Sequence, residues 1–103
     1  MRYGNNSQGE TKDSNKFLDY YTLNQAINEI KSLEGNDYCA DCGQQDRVNW
    51  VSLSHGITLC IRCAGTHRSF GVDISCVRSL TLDFWTEFQI RHMLFGGNTK
   101  FQK

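Results

Sequence analysis

The apolar positions along this chain fall first at helical spacing, then at strand spacing, then at helical spacing again. Residues 1–16 carry no such period; they are rich in Asn, Gly, Ser and Lys and read as a flexible polar leader. Leu23, Ala26, Ile27, Ile30 and Leu33 then lie on one face of a helix. Thr22, with Gln25 three residues on, has the form of a capping box, and Gly35 suits a helix stop. Phe17, Tyr20 and Tyr21 precede that cap and are expected to pack beneath the helix as a lead-in. Beyond Gly35 the pattern shortens. Val48 to Leu53 and Ile57 to Leu59 flank a Ser54-His55-Gly56 turn, which predicts a short hairpin. A helix over Ile61 to Phe70 follows, closed by Gly71, and Val77 to Leu80 adds a strand.

The last predicted helix opens at Asp83 or Thr86 and reaches Phe95, with Gly96-Gly97 closing it. It is apolar on two sides: Phe84, Trp85, Phe88 and Phe95 on one, Ile90, Met93 and Leu94 on another. A helix of that kind needs cover from both sides. A further helical segment is therefore expected, and residues 17–103 read as one domain lacking that C-terminal piece. No internal repeat is visible.

Composition narrows the class. A chain of 103 residues buries only about two-thirds of its unfolded surface, so its core alone is marginal. Eleven basic residues balance eleven acidic ones. The polar run from Arg2 to Lys16 holds no apolar signal core, and no apolar stretch is long enough to span a bilayer. In that setting cysteines read as metal ligands rather than disulfides.

Four of the five cysteines have the matching spacing, Cys39-x2-Cys42 and Cys60-x2-Cys63. Two such knuckles converge on one tetrahedral Zn²⁺. Zinc binding can contribute roughly 10–16 kcal/mol to a finger, so the metal is expected to be required for folding. Cys76, outside both pairs, reads as a small buried or half-buried thiol. Arg47, Arg62 and Arg68 offset the thiolate charge, with Arg62 screening it from inside the knuckle, while Asp41 and Asp46 oppose them. The finger shows no basic patch of the kind that holds a phosphate backbone.

The second-knuckle helix can be read at about 100° per residue. With Cys63 as origin, Cys60, His67 and Phe70 fall in a narrow sector facing metal and core. Arg68 falls about 140° away, beside Ile61, Ala64 and Gly65, on a face where two small residues let another surface approach. A lone helical arginine is most often simply solvated. With four thiolates saturating the zinc, His67 reads as a hydrogen-bonding partner in the core rather than a ligand. Trp50 reads as core, and Arg78 with Asp83 as an ion pair holding a loop.

Beyond the spacing, a set of residues resembles the ArfGAP family, GTPase-activating proteins for Arf small GTPases. These are Gly35-Asn36, Cys39-Ala40-Asp41-Cys42-Gly43, Trp50, and Cys60-Ile61-Arg62-Cys63-Ala64-Gly65-Thr66-His67-Arg68. Gly71-Val72, Val77-Arg78-Ser79-Leu80, Leu82-Asp83, Trp85 and Gly96-Gly97-Asn98 continue it, so the resemblance covers roughly residues 22–101. It implies an α+β domain: a four-cysteine zinc finger with a small antiparallel sheet, surrounded by α-helices. It also implies an enzyme activator rather than a self-contained enzyme. Arg68 would be the arginine finger given in trans to GTP-bound Arf, an arrangement worth about 10³–10⁵ in rate. GTP and Mg²⁺ would belong to the partner, which fits a chain whose sequence shows no Gly-rich phosphate loop and no nucleophile with a base.

The resemblance further implies control of vesicle coats, a cytoplasmic setting peripheral to Golgi or endosomal membranes, and membrane association through the partner or flanking regions. Family members extend past Gly96-Gly97-Asn98. Asp73 stands where many members carry His, and Cys76 where many carry Lys or Arg, which makes that edge less positive. Two alternatives remain open on sequence alone. One is a GATA-like nucleic-acid finger, whose Cys-x2-Cys-x17-Cys-x2-Cys spacing also fits. The other is a non-catalytic interaction module of the same fold.

Overall fold

The computed structural model describes residues 16–101, so all but one residue of the predicted leader lies outside it. Its elements are α1 (Tyr20–Ser32), β1 (Trp50–Ser52), β2 (Ile57–Leu59), α2 (Ile61–Ser69), β3 (Val77–Ser79), α3 (Glu87–Phe95) and a short α4 (Asn98–Phe101). The three strands form one antiparallel sheet in the order β2-β1-β3.

Register places Trp50 opposite Leu59 and Ser79, and Ser52 opposite Ile57 and Val77. Opposed residues in a pleated sheet share a face. That face carries the cluster of Cys39, Val48, Ile57, Leu59, Cys60 and Ala64, with Trp50, Cys63 and Val77 packed on it. Val51 points the other way, into a cluster of Leu23, Ala26, Ile27, Ile30, Leu80, Trp85, Ile90 and Met93. A sheet only three residues deep thus divides a metal-side core from a helix-side core.

The first helix starts earlier than its sequence suggests. Asp19, not Thr22, is the N-cap, its carboxylate accepting the Thr22 N–H at 2.8 Å. Asp19 is a stronger cap than Thr, and capping there draws Tyr20 and Tyr21 into the first turn, where both are exposed rather than tucked beneath. The helix ends at Ser32, and Gly35 instead takes a positive φ of 86° in the turn that follows. Of the two openings expected for the last helix, Thr86 is the one used. Its hydroxyl accepts the Gln89 N–H, and the Gln89 side chain returns to the Thr86 N–H, a complete capping box. On α3 and its approach, Trp85, Ile90 and Met93 are buried, whereas Phe84, Phe88 and Phe95 are exposed. Among the described residues no helix is long and apolar enough to cross a membrane.

One buried side chain ties the C-terminal end to the finger. Asn98 accepts the Thr58 N–H at 2.8 Å and donates to Gly35 O, Tyr38 O and Thr58 Oγ1 at 2.7–2.8 Å. Its own N–H goes to Asn36 Oδ1 at 2.8 Å. Nearby, Gly97 N donates to Gly56 O at 2.8 Å, and a Cβ on Gly96 would stand 3.0 Å from that same oxygen.

Candidate metal centre and the exposed arginine

The first knuckle is a tight loop. The Cys39 N–H donates to Gln44 O at 2.8 Å and the Gly43 N–H to Cys39 O at 2.9 Å, with Gly43 at a φ of 79°. The Ala40 N–H, paired with Thr58 O at 2.9 Å, fastens the loop to β2. The second knuckle is a strand-to-helix junction: β2 delivers Cys60 directly to the N-cap of α2, and Cys63 follows in its first turn. The Sγ atoms of Cys39, Cys42, Cys60 and Cys63 all lie within 4.8 Å of one another.

Zn–S bonds of about 2.3 Å in a tetrahedron put ligand sulfurs about 3.8 Å apart. Cys42 Sγ and Cys60 Sγ are 3.7 Å apart. Four cysteine sulfurs gathered within 4.8 Å suit one closed, structural zinc, in which four thiolates leave no open position for a water or substrate. Burial works against ionisation of Cys60, but the Cys63 backbone N–H and the neighbouring thiols outweigh it and bring its pKa down to about 7. That N–H belongs to the first turn of a helix with no side-chain cap, where a thiolate is favoured. Burial and the sulfurs of Cys39, Cys60 and Cys42 push Cys63 far above the ordinary thiol value. Arg62 donates to Gln44 Oε1 at 3.3 Å, linking the two knuckles, while Arg47 is exposed and paired with Asp46 at 3.2 Å.

Helix α2 presents Arg68 to solvent. The guanidinium lies over Trp50, with Cζ 4.7 Å from the ring centroid. Trp50 is half-buried, one face in the metal-side core and the other under the arginine. Ile61 is 65% exposed and Gly65 is exposed on the same helix, but Ala64 is 2% exposed and packs inward. The helical wheel turned Ala64 outward with its neighbours; the sheet lies close enough to cover it. Phe70, expected inward, is half-exposed, its ring 5.4 Å from that of His67.

The expected Arg78–Asp83 pair is not formed. Asp83 accepts the Ser79 N–H at 2.7 Å, and Arg78 donates to the Phe84 carbonyl. Both stabilise the turn between β3 and α3, each through backbone rather than through the other. Trp85 Nε1 adds a third bond, to Ser79 O at 3.0 Å.

The contacts of His67 are not visible in the sequence. Its Nε2 is 2.7 Å from Asp41 Oδ2, between the first two cysteines, and its Nδ1 is 2.8 Å from Ser75 Oγ. Ser75 Oγ is 2.6 Å from Ser52 Oγ, which is 3.0 Å from His55 Nδ1. The order Asp–His–Ser is the constellation of a nucleophilic hydrolase, although the sequence shows no nucleophile with a base. Here Ser75 is 2% exposed and its oxygen faces Ser52, so it cannot reach a substrate. Cys76, the fifth cysteine, is half-buried next to it.

Together these features define a class: a small α+β domain closed around one four-cysteine zinc site, with an arginine displayed on the ligand-bearing helix. A family model described as "Putative GTPase activating protein for Arf" matches residues 24–103, and the chain belongs to this ArfGap family. An uncharacterised protein of Schizosaccharomyces pombe is 37% identical over 95 residues, covering 92% of this chain and 27% of that protein. The human "Arf-GAP with coiled-coil, ANK repeat and PH domain-containing protein 3" is 47% identical over 73 residues, 71% of this chain and 9% of that protein. This chain therefore corresponds to a small part of those relatives. A crystal structure from Cryptosporidium parvum, described as a "putative GTPase activating protein for ADP ribosylation factor", superposes with a TM-score of 0.78 at 32% identity. That superposition covers 84% of this chain and 68% of that one. Family membership sets aside the GATA-like alternative.

Proposed function

We propose that this chain accelerates GTP hydrolysis on an Arf-type small GTPase, and that Arg68 is the residue it contributes to the reaction. The observation that carries the reading is the placement of Arg68: exposed, on the helix that supplies two zinc ligands, and seated on Trp50. A guanidinium is planar, permanently charged and able to donate two parallel hydrogen bonds. Brought to the γ-phosphate as charge develops on it, such a group lowers the barrier without taking part in bond making. The partner supplies the nucleotide, Mg²⁺ and attacking water; this chain supplies one cation held in place by a rigid support.

Ile61 and Gly65, exposed on the same helix, suit contact with the partner's surface. Recruitment to Golgi or endosomal membranes, and an effect on vesicle coats, follow if the partner is membrane-bound Arf. The test is single-turnover hydrolysis by GTP-loaded Arf proteins with the zinc-loaded chain. Acceleration by the wild type, and its loss by about 10³-fold or more in both Arg68→Ala and Arg68→Lys, is the expected result. Lysine keeps the charge but not the fork, so wild-type rates in Arg68→Lys would refute the finger. Binding to Arf without faster hydrolysis would favour a non-catalytic interaction module.

A further inference from the structure

We propose that His67 is the positioning residue for Arg68, acting as the centre of a one-way hydrogen-bond chain that runs from the hairpin turn to the first zinc knuckle. The proposal rests on the reading of Arg68 as the group presented to a partner GTPase.

The direction of the chain follows from what each group can do. The Asp41 carboxylate only accepts, so His67 Nε2 carries the hydrogen across the 2.7 Å contact. In the neutral ring that leaves Nδ1 a lone pair, and the Ser75 hydroxyl must donate to it across 2.8 Å. Ser75 Oγ then accepts from the Ser52 hydroxyl at 2.6 Å, and Ser52 Oγ accepts from His55 Nδ1–H at 3.0 Å. Every member has one consistent role, and Ser52 and Ser75 are both buried. Such a chain polarises itself, and each member holds its neighbours in place. The rings add a second restraint, with His55 edge-on to His67 at 5.9 Å.

Its mechanical consequence concerns a helix of nine residues. The zinc ligands Cys60 and Cys63 hold only the N-terminal end of α2, which has no side-chain cap. Arg68 sits in the last turn. His67, the residue just before it, is gripped there from one side by Asp41 and from the other by Ser75. Without that grip the far end keeps only its packing on the sheet and the seat of Arg68 on Trp50, and has more room to turn. A rotation of about 10° moves a side-chain tip at a radius of about 6 Å by about 1 Å. A displacement of that size can cost about a hundredfold in rate. Because Asp41 lies between Cys39 and Cys42, the metal site holds both ends of the helix: one through ligands, the other through His67.

The test uses Ser75→Ala, which removes one hydroxyl, with His67→Gln and His67→Ala, all zinc-loaded. Gln can still donate to Asp41 and accept from Ser75; Ala can do neither. Three readouts are taken: melting with zinc stoichiometry, kcat and KM separately, and the NMR shifts of the Arg68 side chain, which the Trp50 ring moves upfield. For Ser75→Ala the expected result is a cooperative melt with one zinc, KM within about twofold, and kcat lower by about tenfold to a hundredfold. The Arg68 ring-current shift should be reduced. His67→Gln should retain more kcat than His67→Ala. Unchanged kcat and an unchanged Arg68 shift in Ser75→Ala would overturn the proposal, and so would loss of zinc or of a cooperative melt, which would make the chain merely structural. If the wild type does not accelerate hydrolysis, the arginine-finger reading fails, and the Arg68 shift still decides whether His67 and Ser75 position that side chain.

Discussion

The guanidinium of Arg68, on α2, rests on the indole of Trp50, on β1, at 4.7 Å from the ring centroid. The contact places the exposed cation over the half-buried end of the sheet, in the cation–π geometry that guanidinium groups favour. A long flexible side chain loses rotamer entropy when a reaction requires it in one place. The indole takes part of that loss before any partner arrives.

On the proposed role of Arg68, removing the seat should weaken GTPase activation without abolishing it. Cation–π contacts are worth about 0.5–2 kcal/mol, so Trp50→Leu is expected to lower kcat about 2- to 30-fold, while Trp50→Phe, which keeps a ring face, should lose less. Single-turnover hydrolysis at saturating chain would check this, and equal rates for the two variants would show the ring to be unimportant.

Two neighbours on α2 should behave oppositely. Ile61 is 65% exposed and Ala64 2%. Ile61→Asp should raise KM with little change in the melt. Ala64→Leu, forcing three extra carbons into the metal-side core, should destabilise by about 1–3 kcal/mol. Thermal melts run beside the kinetic assay would separate the two effects.

Zinc and protons compete for the same sulfurs. Burial and the neighbouring thiols raise Cys63; Cys42 is also raised, because desolvation and the Cys39 and Cys60 thiols together outweigh the Gln44 N–H that favours its thiolate. The metal-bound state holds no thiol protons and the metal-free state holds several, so lowering pH favours the metal-free side. Zinc affinity and folded population should therefore fall together as pH drops from about 8 to about 5. Circular dichroism with a colorimetric chelator would follow both. Cys60→Ala should leave the domain unfolded at neutral pH, and a cooperative melt of the wild type in strong chelator would contradict a structural zinc.

Asn98 is the buried hub of the C-terminal clasp. Asn98→Ala strands the Thr58 N–H and takes one donor each from the Gly35 and Tyr38 carbonyls, which keep the Tyr38 N–H and the Thr58 hydroxyl, while the backbone N–H of residue 98 still reaches Asn36 Oδ1. The unsatisfied Thr58 N–H alone costs about 1–3 kcal/mol. Urea denaturation of the zinc-loaded protein should show the loss, with Arg68-dependent activity retained in the fraction that stays folded.

What the sequence determined by itself was local. The knuckles, the hairpin, the three main helices and the outward direction of Arg68 depend on spacings of two to five residues, which backbone geometry turns into angles without reference to anything distant. What needed the tertiary structure depended on which element lay over which. A helical wheel gives the angle of Ala64 but not the nearness of the sheet that covers it. It places Phe70 beside His67 but not at the margin of the core. Asp41, the Ser52–His55 turn, His67 and Ser75 come from four separate stretches of chain, each with ordinary polar residues, and only packing brings the four within hydrogen-bond distance. Charge alone suggested a bond between Arg78 and Asp83, whereas the turn between β3 and α3 offered each a backbone partner already in place. Side chains choose among partners by proximity in three dimensions, and that is information a one-dimensional pattern does not carry.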